Sequence, residues 1–281
     1  MKIFKSAKSV QNYISYFKRQ GQRIGFVPTM GCLHNGHLSL IKRAKKDNDV
    51  VVLSIFINPI QFAPNEDYNR YPSSFKMDLE LARNEGVDVV YCPAPQEMYP
   101  KDYCTYIEVG VLSEALCGKF RPGHFKGVTT VCAKLFNIIQ PDMVYLGEKD
   151  FQQAVILKQM VKNLNMSLKI KMTPIIREKD GLAMSSRNCF LSKEDRKQAL
   201  VIFQSLQTAK RMVKEGVKDA GKIKMKVKNM ISNMPGIKVE YAQVVDLKFL
   251  QPVTEIKTPV LLAIAVKIKK VRLIDNIILK P

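Results

Sequence analysis

What this 281-residue chain has little of narrows its class before any motif is read. No apolar run approaches the roughly 18 residues of a membrane helix; the best candidates, Val50–Ile57 and Val260–Val266, are only long enough for strands. The start, Met1-Lys2-Ile3-Phe4-Lys5-Ser6, runs into mixed polar sequence without the apolar segment of a signal peptide. A cytoplasmic protein with no membrane partner is therefore expected. Six cysteines (Cys32, Cys92, Cys104, Cys117, Cys132 and Cys189) lie scattered, with no Cys-x-x-Cys pair. That spacing argues against both a zinc site and a disulfide framework. Acidic residues are scarce, 25 against 45 Lys and Arg, leaving a net charge of +20. Such an excess suits nucleic acid or another polyanion. Yet lysine is spread along the whole chain, with no aromatic-interleaved basic segment, so a lysine-rich surface is the simpler reading and no nucleic-acid partner is expected. Histidine is rarer still: there are three, and two of them fall in one short run.

That run is Pro28-Thr29-Met30-Gly31-Cys32-Leu33-His34-Asn35-Gly36-His37. It follows an apolar stretch ending in Phe26-Val27 and precedes a helical pattern from about Leu38. A strand, a glycine-bearing turn with two imidazoles and a helix start together make a device for holding nucleotide phosphates. The helix opening offers unpaired amides and the positive end of its dipole. Gly31 and Gly36 let the main chain approach an anion closely. Imidazoles donate hydrogen bonds to phosphate oxygens as charge builds on them. Cys32 sits inside the run, but no basic partner is specified that would make it a nucleophile.

The first part of the chain alternates short apolar runs (Arg23–Val27, Val50–Ile57, Val87–Tyr91, Met143–Leu146) with helical patterns at Leu38–Lys46, Phe75–Glu85 and Val128–Gln140. Ser73 or Ser74 suits a helix N-cap and Gly86 a left-handed helix end. This alternation implies a Rossmann-like, mostly parallel sheet with helices on both faces. Ligands of such sheets bind beyond the carboxyl ends of the strands. The histidine run, Asn58–Gln61 and Gly147–Asp150 each follow a strand, so all three are expected at one edge. Near Thr173-Pro174 the pattern changes. Ser192 with Asp195 opens a long helix to about Val213, the 222–234 segment fits a helix with solvated lysines, and Lys238–Asp246, Val260–Ile268 and Arg272–Leu279 read as strands. The expected organisation is an α/β domain over 1–175 and a smaller C-terminal α+β domain over 176–281.

Other segments carry chemistry that admits more than one purpose. In Gly147-Glu148-Lys149-Asp150-Phe151-Gln152-Gln153, Lys149 can bridge phosphates and Asp150 can bind a ribose hydroxyl or help hold Mg²⁺; a solvated turn of mixed charge is the alternative. Met184-Ser185-Ser186-Arg187-Asn188 places two hydroxyls beside a guanidinium, a set suited to β- and γ-phosphates or to a capped surface turn. Asn58-Pro59-Ile60-Gln61-Phe62 offers two amides either to a hydroxylated substrate or to the core. Arg121-Pro122-Gly123-His124-Phe125-Lys126-Gly127 reads as a mobile lid, a phosphate contact or a structural turn. Tyr68–Pro72 is a further candidate gate.

Taken together, in this order and with Arg272-Leu273-Ile274-Asp275-Asn276 near the end, these segments closely resemble the pantothenate synthetase (pantoate–β-alanine ligase) family over nearly the whole chain. The histidine run alone belongs to a wider group of nucleotidyltransferases and class I aminoacyl-tRNA synthetases. Two departures are mild: Cys32 stands where a small residue is usual, and Lys269-Lys270 replaces a turn that normally carries glycine. The resemblance implies a ligase that condenses pantoate with β-alanine at the expense of ATP, through a pantoyl adenylate, releasing AMP and pyrophosphate. It implies His34, His37 and Lys149 as the catalytic set, with His37 as transition-state donor. It places ATP against Met30, Gly31, Cys32, Leu33, His34, Asn35, Gly36, His37, Gly147, Glu148, Lys149, Asp150, Ile176, Met184, Ser185, Ser186 and Arg187. Gln61, Gln153 and Asn58 would hold pantoate, with Gln61 also meeting β-alanine. Mg²⁺ would arrive on ATP without fixed protein ligands, no tightly bound organic cofactor is implied, and a homodimer is the implied assembly. A small adenylyltransferase acting on another acceptor is the nearest rival, and it would not need the paired Gln61 and Gln153. An RNA-binding relative would need an RNA-reading appendage.

Overall fold

The computed structural model describes residues 1–64 and 66–281, which fall into two units. The first comprises 1–113, 121–148 and 153–174; the second comprises 114–120, 149–152 and 175–281.

The first unit is built on six parallel strands: β1 (Lys2–Phe4), β2 (Ile24–Thr29), β3 (Val50–Ile55), β4 (Val89–Tyr91), β5 (Met143–Gly147) and β6 (Lys169–Thr173), in the spatial order β1-β4-β3-β2-β5-β6. Phe26, Val27, Val51, Val52, Leu53, Val89, Val90 and Tyr145 are all fully buried. Near-continuous apolar runs are what a parallel sheet covered by helices requires. Flanking helices include α1 (Ala7–Arg19), α2 (Asn35–Asp47), α3 (Phe75–Asn84), α4 (His124–Ile139) and α5 (Phe151–Asn163). Chain order runs outward one way from β2 through β3 and β4, and the other way from β5 to β6. The reversal therefore lies between β2 and β5, the position where sheets of this kind bind ligands. The histidine run begins at the end of β2, Asn58 shortly after β3, and Glu148 directly after β5. The expected convergence on one edge is present in the strand register, with Thr29 opposite Ile55 and Phe26 opposite Val144.

The strands read from the sequence end within about two residues of where they are found; β1 and β6 are not among those read from it. Gly86 is left-handed, with φ +76°. The helix read from Val128 instead begins at His124, after a left-handed Gly123. Gly127 is therefore not a loop residue. It lies in the first helical turn, where an added Cβ would strike the Ile60 carbonyl and the Gln61 backbone.

The second unit sets α6 (Lys193–Lys214) and α7 (Ala220–Ser232) with an antiparallel sheet of β7 (Ile237–Asp246), β8 (Val260–Ile268) and β9 (Val271–Leu279). Leu206, Ile223, Val227, Ile231, Leu262 and Val266 are fully buried in its core. Ser192 caps α6 by accepting the Asp195 amide at 3.1 Å. The Asp195 carboxylate does not return the bond to the helix start but binds the Ser192 hydroxyl and Lys269. Lys269, in the β8–β9 turn, holds φ +52°, the conformation for which glycine is ordinarily used.

Candidate active site

In the first unit the histidine run makes one tight turn into α2. His34 is the N-cap residue, and its Nδ1 accepts the Gly36 amide at 3.1 Å. His37, three residues on, accepts the His34 amide through its own Nδ1 at 3.3 Å. The two rings lie 4.1 Å apart, tilted by 33°. A neutral imidazole whose Nδ1 accepts carries its proton on Nε2. The pair thus carries two Nε2–H donors, fixed in tautomer by the backbone of its own turn.

The turn is held from below by a residue that the sequence did not reveal as part of the site. Asp78 on α3, 1% exposed, accepts the Cys32 amide at 2.8 Å, the Leu33 amide at 2.7 Å and the Ser74 hydroxyl at 3.1 Å. Gly31 and Cys32 both have positive φ, +84° and +51°. A Cβ at Gly31 would come within 2.9 Å of the Asp78 carboxylate. The Gly31 amide is taken by the Thr29 hydroxyl, which itself donates to the Ser54 carbonyl. The expectation that this helix opening presents unpaired amides is narrowed: the amides of Gly31, Cys32, Leu33, His34 and Gly36 have partners within the protein.

Beside the turn stands a wall of amides. Gln61 Nε2 lies 3.1 Å from Met30 Sδ, and its Oε1 accepts from Asn58 Nδ2 at 3.0 Å. The structure thus joins Met30, Asn58 and Gln61, which the sequence could only place on the same edge. The third histidine belongs to the support of this wall. Arg121 grips Glu66 with two bonds of 2.6 Å and contacts His124 Nε2 at 2.9 Å. Arginine only donates, so His124 Nε2 accepts and Nδ1–H donates to the Gln61 carbonyl at 2.9 Å. Burial works against the Glu66 charge, but the Arg121 hydrogen bonds and charge outweigh it and hold the carboxyl below its usual range. Of the readings open for Arg121–Gly127, the structural one fits this network.

In the second unit Lys149 Nζ lies 3.2 Å from Asp150 Oδ1, and its carbonyl accepts from Asn276 Nδ2 at 3.0 Å. Asn276 follows Asp275, which is paired with Arg177 through bonds of 2.6 and 2.9 Å. Burial pushes the Asp275 carboxyl upward, against the pull of Arg177. Ile176 and Met184 face each other across a small hairpin, joined by the Met184 amide to the Ile176 carbonyl at 3.0 Å. Gly181, with φ +96°, turns that hairpin where a side chain would collide with the Phe203 ring. Ser185 then caps a 3₁₀ turn over Ser186–Phe190, accepting the Arg187 amide at 3.3 Å. The two neighbouring glutamines of the Gly147–Gln153 segment differ in kind. Gln152 is buried and bonds to the Cys117 amide and the Ala115 carbonyl, whereas Gln153 is half-exposed and counted in the first unit.

Among the described residues, no group of three or more His, Cys, Asp or Glu side chains is placed to hold a metal ion, and no helix is long and apolar enough to cross a membrane.

Known proteins similar to this chain share one family. The sequence model of the family described as Pantoate-beta-alanine ligase matches residues 2–278. The pantothenate synthetase of Sulfurihydrogenibium sp. (strain YO3AOP1) is 51% identical over 278 residues, 99% of both chains. That of Thermotoga neapolitana is 49% identical over 279 residues, covering 99% of this chain and 100% of the relative. Among solved structures, pantothenate synthetase from Thermus thermophilus superposes with a TM-score of 0.95 at 36% identity, covering 100% of each chain. The pantoate-beta-alanine ligase from Francisella tularensis, complexed with beta-gamma ATP and beta-alanine, gives 0.81 at 38% identity, covering 99% of this chain and 97% of that one.

Proposed function

The chain belongs to the pantoate–β-alanine ligase family and is a ligase, and on that premise we propose that it condenses pantoate with β-alanine in two steps. The pantoate carboxylate attacks the α-phosphorus of ATP, forming a pantoyl adenylate and releasing pyrophosphate. The β-alanine amine then attacks the activated carbonyl, forming the amide and releasing AMP. An ionised carboxylate resists attack by an amine, and its transfer to AMP supplies the leaving group that amide formation needs.

The observation that carries this reading is the fixed pair of imidazole donors beside the Asn58–Gln61 amides in one unit. Donors aimed at phosphate oxygens stabilise charge that grows in the transition state, a role worth several powers of ten in rate. His37 is assigned as the principal donor and His34 as its partner. Gln61 and Gln153 are assigned to pantoate, with Gln61 also meeting β-alanine. Asn58, expected to hold pantoate too, is 1% exposed and bonded to Gln61, Gly127 and Tyr99, so it is assigned to holding that wall. Lys149, Ser185, Ser186 and Arg187 are assigned to the departing pyrophosphate, whose negative charge they offset. Asp150 and Ile176 are assigned to the nucleoside, and Met30 to Leu33, Asn35, Gly36, Gly147, Glu148 and Met184 to its surroundings. Mg²⁺ is proposed to come with ATP, where it would screen the phosphate charge. A cytoplasmic homodimer is proposed from the family resemblance.

The test is exchange of labelled pyrophosphate into ATP. Exchange that requires pantoate and proceeds without β-alanine is the expected result. Exchange with no need for pantoate, or only when β-alanine is present, would overturn the adenylate route.

A further inference from the structure

The Asn58 amide has only one orientation open to it. Its Nδ2 stands 3.1 Å from the Gly127 carbonyl oxygen, which can only accept, so the NH₂ end must face that way. The same Nδ2 reaches Gln61 Oε1 at 3.0 Å, so the Gln61 carbonyl end is turned toward Asn58 and its NH₂ end toward Met30. The Asn58 Oδ1 is then left needing a donor inside the protein, for Asn58 is only 1% exposed. Tyr99 supplies it, with its hydroxyl 2.8 Å away.

Tyr99 reaches this place by local design. The chain leaves β4, makes one helical turn over Pro95–Met98 and ends it at Tyr99, whose amide returns to the Pro95 carbonyl at 2.8 Å. The ring lies between Phe56 at 6.3 Å and Tyr103 at 5.0 Å, which fixes where the hydroxyl points. Burial keeps that hydroxyl protonated well beyond the usual phenol range.

We propose that Tyr99 is a positioning residue for the acid substrate: the Gly127 carbonyl sets which way the Asn58 amide faces, and Tyr99, holding its other end, keeps it in place. Gln61 thereby stays fixed with its NH₂ group presented, so that this wall recognises only oxygens that accept hydrogen bonds, such as those of a carboxylate or hydroxyl. The proposal rests on the assignment of Gln61 to the acid. Oriented this way, Gln61 rejects an analogue whose matching group donates, because two N–H groups would meet without an acceptor.

The experiment compares the wild type, Tyr99→Phe, Gln61→Ala and the double variant, by pantoate-dependent pyrophosphate exchange with separate titrations of pantoate and ATP. Tyr99→Phe keeps the ring and removes only the donor. It is expected to raise the pantoate KM about tenfold, the size of one hydrogen bond to the substrate lost when Gln61 is no longer held in place, with the ATP KM within about twofold of wild type. In the Gln61→Ala background the same change is expected to add nothing, since the group it positions is gone. An unchanged pantoate KM in Tyr99→Phe, an equal rise in both KM values, or full additivity in the double variant would each overturn the role of Tyr99. Should Tyr99→Phe fail to fold, Asn58→Asp carries the same comparison by removing the next link, the NH₂ group that holds Gln61. Absence of pantoate-dependent exchange in the wild type would instead overturn the functional reading itself.

Discussion

Asp78 binds the Leu33 amide at 2.7 Å from a helix 45 residues further along the chain, and its second oxygen takes the neighbouring Cys32 amide. One carboxylate thereby sets the turn on which His34 and His37 stand. Asp78→Ala removes three charge-assisted bonds from a buried site, at a cost of about 3 kcal/mol or more. Asp78→Asn retains one acceptor and should cost less. Both variants are expected to slow adenylate formation by about 100-fold or more, since misplacement by about 1 Å is sufficient for that. Denaturant unfolding and single-turnover pyrophosphate release measure the two effects separately. Full activity in a destabilised Asp78→Ala protein would show that the turn does not depend on this clamp.

The imidazole pair invites a comparison of its two members. His37→Ala is expected to lower the rate of adenylate formation by about 100-fold or more, the loss typical of one transition-state donor. Each ring also caps the start of α2, so the melting temperatures of both His37→Ala and His34→Ala should fall, in line with about 1 kcal/mol for a lost cap. Near-native turnover by His37→Ala would remove it from its assigned role.

Gly127 has no room for a side chain: a Cβ there would come within 2.6 Å of the Gln61 Cα and 2.7 Å of its nitrogen. Gly127→Ala must therefore push the 59–61 turn away from α4. Overpacking of this kind costs about 1–3 kcal/mol. The displaced Gln61 should raise the pantoate KM more than the ATP KM, as paired titrations of the variant can establish.

Asp47 forms a charged cluster with Lys171, Arg43 and the Tyr145 hydroxyl. Partial burial opposes its charge, but the hydrogen bond from Lys171 and those from Arg43 and Tyr145 prevail and draw its pKa from 3.8 down to about 2. A folded-state value below the unfolded one means the stabilisation is complete above about pH 4 and disappears as pH falls through about 2. Asp47→Asn should therefore be less stable than wild type at pH 7, and the gap should close between about pH 4 and 2. Urea titrations across that window decide it, and a gap independent of pH would refute the assignment.

The parts of the fold that were legible are those with local causes. Strands buried on both faces announced themselves as apolar runs, and the lysine-rich 222–234 segment showed its helical period despite its charge. The histidine turn was legible because a helix start needs particular residues at particular spacings. Asp78 and Tyr99 were not, because each acts on a segment tens of residues away and nothing in its own neighbourhood marks that partner. Gly127 was misread as part of a loop for a related reason. Its small size answers to the backbone of residues 60 and 61, not to the bend of its own segment. β1 escaped because a three-residue edge strand carries too few side chains to show a period. The Lys269 departure falls in a turn where the lysine itself takes the left-handed φ of +52° and pairs with Asp195 across the unit.

The tautomers of His34 and His37 reach further than binding. With both Nδ1 atoms accepting main-chain amides, the neutral form of each ring carries its proton on Nε2 and is set to donate to substrate rather than to take a proton from it. In the proposed reaction the amino acid arrives as an ammonium ion and must shed a proton before its nitrogen can attack. Amide formation from preformed adenylate should accordingly accelerate as the solution is made more alkaline, while the first half-reaction, whose carboxylate is already ionised, should not.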